Sequence, residues 1–360
     1  MDEIELFPIP SDKTFRDSEE FLDFLKRYYD PAKVSHPLTV VVGLTELDRP
    51  SLLASLHRYG FETVQAFGEV VRLKANIEAG GVLECYVVLN TESGVLYFFT
   101  NFRKTEEIPK ISEFLQSEPN SYYLFFSSVL IEKAIEKVDS QFAGVSIPDF
   151  TARRSLDSKV PARYRPYVKR TVSYWAEDGK EVLSEMKYAY GVLVQRAIIE
   201  VPERCKFGID GRGFMTFLSG SLECPLNILT EIIEQARKAR SAYATSSYRT
   251  ATVGSPDAPL RIGVSSPVTI SLSEPLAYDR IGDFVERLES EGFLVVDSVA
   301  EEGSLFFSSN IMTPSGNRSR IKSDGSRIRM FPDDERNLQS FMQFYEFVIN
   351  QIDPNARLEA

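Results

Sequence analysis

One order of signals occurs three times along the chain: strand, helix, glycine stop, strands, glycine turn, strand, amphipathic helix. The stops are Tyr59-Gly60-Phe61, Tyr190-Gly191-Val192 and Glu291-Gly292-Phe293. Each is followed by a turn, at Ser93-Gly94, at Asp210-Gly211 through Gly213, or at Asp324-Gly325, and then by a strand and a closing helix. A recurring supersecondary unit constrains the architecture before any single residue is weighed. The spacing predicts an α+β fold of tandem β-α-β-β-β-α modules, each a curved antiparallel sheet with helices on one face. The modules are expected at 1–143, at 144–242 and at 243–360, with 360 residues enough for two or three domains.

The local signals fill in this outline. Residues 14–29 form a helix capped by Asp17 or Ser18, with Phe21, Leu22, Leu25 and Tyr28 as its stripe. The first module opens with the strand Leu38–Val42 and the helix Pro50–Tyr59. Strands follow in Thr63–Asn76, Leu83–Asn90 and Val95–Thr100, and a helix carries Ile108, Ile111, Phe114 and Leu115. A strand at Tyr122–Phe126 and a helix at Val129–Val138 are appended to this module alone. The second module opens with Val168–Trp175 and continues with a helix Lys180–Tyr190 that buries Val182, Leu183 and Met186. Strands 192–201, 205–209 and 214–218 and a helix carrying Ile228, Leu229, Ile232, Ile233 and Ala236 complete it. The third has strands at 268–272, 294–299, 304–312, 318–322 and 327–331, and a last helix striped by Leu338, Phe341, Phe344, Tyr345, Val348 and Ile349. Residues 144–167 and 241–259 are expected as linkers.

The glycine-turn, strand and polar loop of Gly211-Arg-Gly-Phe-Met-Thr-Phe-Leu-Ser-Gly and of Ser323-Asp-Gly-Ser-Arg-Ile-Arg-Met-Phe-Pro-Asp-Asp resemble the TATA-box-binding-protein family. Residues 163–240 and 262–351 would correspond to the two halves of its saddle. The resemblance implies a saddle-shaped sheet and a role in binding DNA. The apolar wedges with which that family kinks the minor groove have no matched pair in the two modules, and the long N-terminal region is foreign to it.

Composition narrows the functional class. The chain is 43% hydrophobic and has no apolar run of about 18 residues, so neither disorder nor a membrane span or membrane partner is expected. The start, Met1-Asp2-Glu3-Ile4-Glu5, is acidic where a signal peptide would be basic. Cys85, Cys205 and Cys224 have no metal-ligand spacing and read as reduced thiols, so the expected compartment is the cytoplasm. Net charge is −11, divided as −10 for residues 1–150, +6 for 151–250 and −7 for 251–360. The acidic total argues against indiscriminate polyanion binding but leaves a local basic surface.

Two basic clusters stand out. In Arg318, Arg320, Lys322, Arg327 and Arg329, strand alternation sends Ile321, Ile328 and Met330 inward and all five cations to the opposite face. A turn at Ser323–Ser326 would set Lys322 opposite Arg327 and Arg320 opposite Arg329. Like charges so opposed cost about 0.2–1 kcal/mol per pair, so an anion should offset them. That anion is either nucleic-acid phosphate or, in the plainer reading, Asp297, Glu301 or Glu302 of the neighbouring strand. The second cluster is Arg153, Arg154, Lys159, Arg163, Arg165, Lys169 and Arg170, interleaved with Tyr164 and Tyr167. It suits nucleic acid, or else a linker docked on the acidic N-terminal region.

Catalytic and cofactor chemistry find no support. His36 and His57 are in no ligand motif. Asp333-Asp334-Glu335 read as the cap and acidic first turn of the last helix, and Trp175 reads as core. There is no nucleophile elbow and no phosphate-binding glycine loop. The expected function is a non-enzymatic binding protein that contacts nucleic acid through its C-terminal basic strands, with no cofactor. The alternative is a scaffold that uses sheet faces and edges to bind another protein or a second copy of itself. An enzyme of another class ranks third.

Overall fold

The computed structural model describes residues 6–34, 36–77, 81–101, 108–154, 161–253, 260–276, 280–301, 306–333 and 337–359. Lys159, Glu302, Asp334 and Glu335 lie outside the described residues, as do the side chains of Ile108, Ile232 and Ile233. The fold is α+β with antiparallel sheets. The chain divides into two compact units, Met1–Ala236 and Arg237–Ala360. All three glycine stops have positive φ (84°, 61° and 87°), the left-handed conformation that ends a helix and for which glycine is suited.

In the first unit the elements run α1 (Ser18–Tyr28), β1 (Leu38–Thr45), α2 (Arg49–Arg58), β2 (Phe61–Phe67), β3 (Val70–Asn76), β4 (Val82–Asn90), β5 (Val95–Thr100) and α3 (Ile108–Ser117). There follow β6 (Ser121–Tyr123), α4 (Ser128–Gln141), β7 (Ser146–Arg154), β8 (Arg170–Trp175), α5 (Gly179–Tyr190), β9 (Leu193–Val201), β10 (Cys205–Asp210), β11 (Phe214–Gly220) and the start of α6 (Glu223–Thr245). One sheet holds all eleven strands, in the order β2-β3-β4-β5-β1-β11-β10-β9-β7-β8, with β6 also on β1. The sheets expected for the first two modules are therefore continuous. β1 joins them, pairing Val40 with Phe99 of β5 and with Met215 of β11. All eight β1 residues are buried, as its unbroken apolar run requires of a strand covered on both faces.

Three expectations need correction here. First, helices do not occupy one face alone. α2 and α3 bury Leu52, Leu56, Ile111 and Phe114 against Phe61, Leu73 and Phe98. On the other face Phe21 of α1 and Phe7 cover Tyr86 and Phe99, with Phe21 and Phe99 centroids 5.1 Å apart. Second, the stretch Thr63–Asn76 is two strands, reversed between Phe67 and Val70. Third, residues 146–154, expected within a linker, form β7, and β8 does not open a second saddle. β1 already occupies the free edge of β11, so β8 pairs with β7 at the far end of the sheet, Phe150 opposite Tyr174. α5 there leaves Val182, Leu183 and Met186 half-buried, and only Gly179 fully so.

In the second unit α6 ends at Thr245, so residues 241–253 are helix and strand where a linker was expected. β12 (Ser247–Val253) and β13 (Leu260–Ser266) form a separate two-stranded ribbon. β14 (Val268–Ser271), α7 (Ile281–Ser290), β15 (Leu294–Ala300), β16 (Phe307–Met312), β17 (Arg318–Ser323), β18 (Arg327–Pro332), α8 (Leu338–Phe347) and β19 (Arg357–Glu359) complete it. The sheet order β15-β16-β17-β18-β14 repeats the order β2-β3-β4-β5-β1, and β19 is added beyond β14. Here one face only is buried: Ile270, Ile321 and Ile328 lie inward, with Phe284, Phe293, Phe307 and Phe347 in edge-to-face and tilted contacts. α8 is capped by Asn337, whose side chain accepts from the Ser340 N–H, so the cap falls after the expected Asp333.

Candidate nucleic-acid interface

Alternation along β17 and β18 places Ser319, Ile321, Ile328 and Met330 inward and turns Arg318, Arg320, Lys322, Arg327 and Arg329 to the other face. The five cations share one face as the sequence predicts. Their cross-strand partners differ. Lys322 pairs with Arg329, and Arg320 with Phe331, because the hairpin closes at Ser323 and Ile328. The register is displaced by two residues, an even shift, which preserves the face while changing every neighbour.

Carboxylates outside the expected set take part in the neutralisation. Arg327 meets Glu359 at 2.8 Å, Arg329 meets Asp324 at 2.9 Å, and Arg320 lies 3.8 Å from Asp333 and donates to Asn310 at 3.0 Å. No ion pair ties Asp297 to this cluster among the described residues. The Ser271 hydroxyl lowers the Glu359 pKa most; burial opposes it, and Arg327 and Arg329 add to the lowering. Burial works against the lowering at Asp324 too, but the Arg327 N–H, the Ser326 hydroxyl and the Arg329 guanidinium together outweigh it. Lys322 lies over the Phe331 ring at 5.5 Å. Arg318 has no carboxylate partner among the described residues.

Sequence reasoning missed three contributors to this face. Arg357 of β19 sits beside Ser271, itself opposite Arg327, and is exposed. Phe331 was taken only as part of a strand, yet it lies on the cationic face. Tyr248 of the ribbon joins Gly263, Ser265, Arg318, Arg320 and Asp333 in a polar groove of about 470 Å³. Alternation could have found Phe331. A three-residue strand separated from α8 by nine residues has no comparable signal.

The second cluster is dispersed. Arg154 is only 4% exposed and donates to the carbonyls of Pro166 and Gly191, at 3.2 and 3.1 Å. It is a structural clamp, and burial together with Arg170 lowers its pKa. Arg170 stacks on Tyr190 at 4.3 Å, and Arg163 on Tyr164 at 5.2 Å. Tyr164 donates its N–H to the Ala189 carbonyl, so this segment lies on the end of α5. Arg153, Arg165, Tyr167 and Lys169 are exposed. Trp175, expected in the core, is 76% exposed at the end of the edge strand β8. Among the described residues no helix is long and apolar enough to cross a membrane.

A protein-family model described as a family middle domain matches residues 130–212. That stretch begins in α4 and runs through β7, β8, α5, β9 and β10, the part of the large sheet that departs from the repeated strand order. An uncharacterised protein of Archaeoglobus fulgidus is 25% identical over 369 residues, covering 98% of this chain and 99% of its own length.

Proposed function

We propose that this is a non-enzymatic, cytoplasmic nucleic-acid-binding protein whose contact surface is the open face of its C-terminal sheet. The observation that carries the reading is the charge on that face: six cations (Arg318, Arg320, Lys322, Arg327, Arg329 and Arg357) against Asp297, Asp324, Asp333 and Glu359. The three ion pairs are solvent-exposed and each contributes little, so phosphate oxygens can replace their carboxylates at small cost. Arg318 and Arg320 beside Tyr248 offer the groove a phosphate contact and an aromatic surface together. Of the two stretches likened to the TATA-box-binding-protein saddle, residues 163–240 do not form such a module, so the likeness rests on the second unit. The test is a mobility-shift titration with duplex and single-stranded DNA and RNA at low salt. Absence of binding to all of them would end the proposal.

A second reading rests on β15. Among the described residues this edge strand has no partner on its outer side, and it exposes Leu294, Val296 and Val299, with Val296 67% exposed. Such an edge is suited to pairing with a strand of another protein. A stoichiometric partner lost on Val296→Lys, with nucleic-acid binding absent, would favour this scaffold reading.

A further inference from the structure

Cys205 opens β10 and Cys224 lies in the first turn of α6, close enough that the influence of each thiol on the other is the largest cause of both their pKa shifts. Regular backbone holds them there. Cys205 pairs with Gly220 across β10 and β11, and the Ser221 N–H donates to the Arg204 carbonyl at 2.9 Å. The Leu226 N–H then donates to Leu222 at 3.0 Å as the helix begins.

The two thiols are not equivalent. Cys205 is 5% exposed, whereas Cys224 is half-buried and is reached from solvent. Cys205 donates to Cys224 and so lowers its pKa; Lys137 and Arg204 act in the same direction, against burial and Glu223. Cys205 is pushed up, first by donating to Cys224 and then by burial. Both cations are held in place, Lys137 by Glu231 at 2.6 Å and Arg204 over the Phe142 ring at 4.8 Å. A partly exposed thiol at a helix N-terminus beside cations is the environment that makes a nucleophile. Cys85 is the internal control: it is fully buried in β4, and burial raises its pKa.

We propose that Cys205 and Cys224 form a reversible oxidation site, at which a hydroperoxide converts the dithiol to a disulfide joining the start of β10 to the first turn of α6. The Cys224 thiolate attacks one peroxide oxygen, the O–O bond breaks, and hydroxide leaves, giving a sulfenic acid on Cys224. The Cys205 sulfur then attacks the Cys224 sulfur. The S–O bond breaks, and the departing hydroxyl takes the Cys205 proton and leaves as water. Two electrons pass from the thiol pair to the peroxide, and a thiol reductant reverses the bond.

The test treats the reduced full-length chain with hydrogen peroxide and counts thiols after denaturation. The count should fall from three to one, with a Cys205–Cys224 cross-link in non-reducing peptide maps that dithiothreitol removes. In Cys205→Ser a sulfenic acid should persist on Cys224 and be trapped by a 1,3-dione. In Cys224→Ser both remaining thiols should survive. A count that stays at three overturns the proposal, as does oxidised Cys224 without a cross-link, or Cys85 reacting as fast as Cys224. If a serine variant fails to fold, alkylation of the unmodified protein decides: Cys224 must react ahead of both other cysteines.

Discussion

Reversing charge at the two hairpin cations that lack a carboxylate partner among the described residues, Arg318→Glu with Lys322→Glu, measures how much of the basic face is used. Three cations on that face (Arg318, Lys322 and Arg357) have no carboxylate partner among the described residues, and three are ion-paired. If only the first set meets phosphate, log K against log salt should have a slope of about −2.7 on duplex DNA, or about −2 on a single strand. Raising salt from about 50 to about 200 mM would then weaken duplex binding roughly 40-fold. If the paired arginines are released to the ligand as well, the slope approaches about −5 and the loss about 10³-fold. The double reversal should reduce the first slope to about −1, leaving Arg357. Fluorescence anisotropy across a salt series reads these values directly. A slope unchanged by the double reversal, in a variant whose melting is also unchanged, would refute the assignment of this face.

Other perturbations test the packing and the charges. Asp324 and Glu359 are held below their ordinary values of 3.8 and 4.5, so their pairing contributes stability above those values and loses it as pH falls through the lower folded-state pKa. Acid titration of stability should therefore lose a component in Asp324→Asn with Glu359→Gln, and an unchanged acid limb would refute this. Gly179→Ala adds a methyl that meets the Ile147 carbonyl oxygen of β7, and should cost about 1–3 kcal/mol in urea unfolding although alanine favours helix. Trp175→Ala should change stability by less than about 0.5 kcal/mol, whereas Phe150→Ala, fully buried against Tyr174, should cost about 3–5 kcal/mol. Comparable losses for the two would mean that Trp175 packs against something.

Local chemistry was legible in the sequence wherever it acts through near neighbours. Helix stops at Gly60, Gly191 and Gly292 and the Asp17 cap follow from backbone sterics and a side chain two or three residues away. The common face of Arg318, Arg320, Lys322, Arg327 and Arg329 follows from the two-residue period of a strand, and an error of two in register leaves it intact. The partners of those cations were not legible, since Glu359 arrives on a three-residue strand from the far end of the chain. Arg154 and Trp175 were misplaced for a related reason. Residue type gives an average burial, but here β7 lies beneath the segment carrying Pro166, and β8 is left at an edge.

By itself, the sequence determined the glycine-punctuated strands and helices, the inward apolar faces and the outward row of cations, all set by periods of two and 3.6 residues. Only tertiary structure decided which strand edges meet. The run Leu38–Thr45 can pair on either side, and its choice of both β5 and β11 merges two expected sheets into one and displaces β8 to the rim. Hydrogen-bonding edges are alike from strand to strand, so their pairing is settled by packing across the whole unit and not by the local pattern.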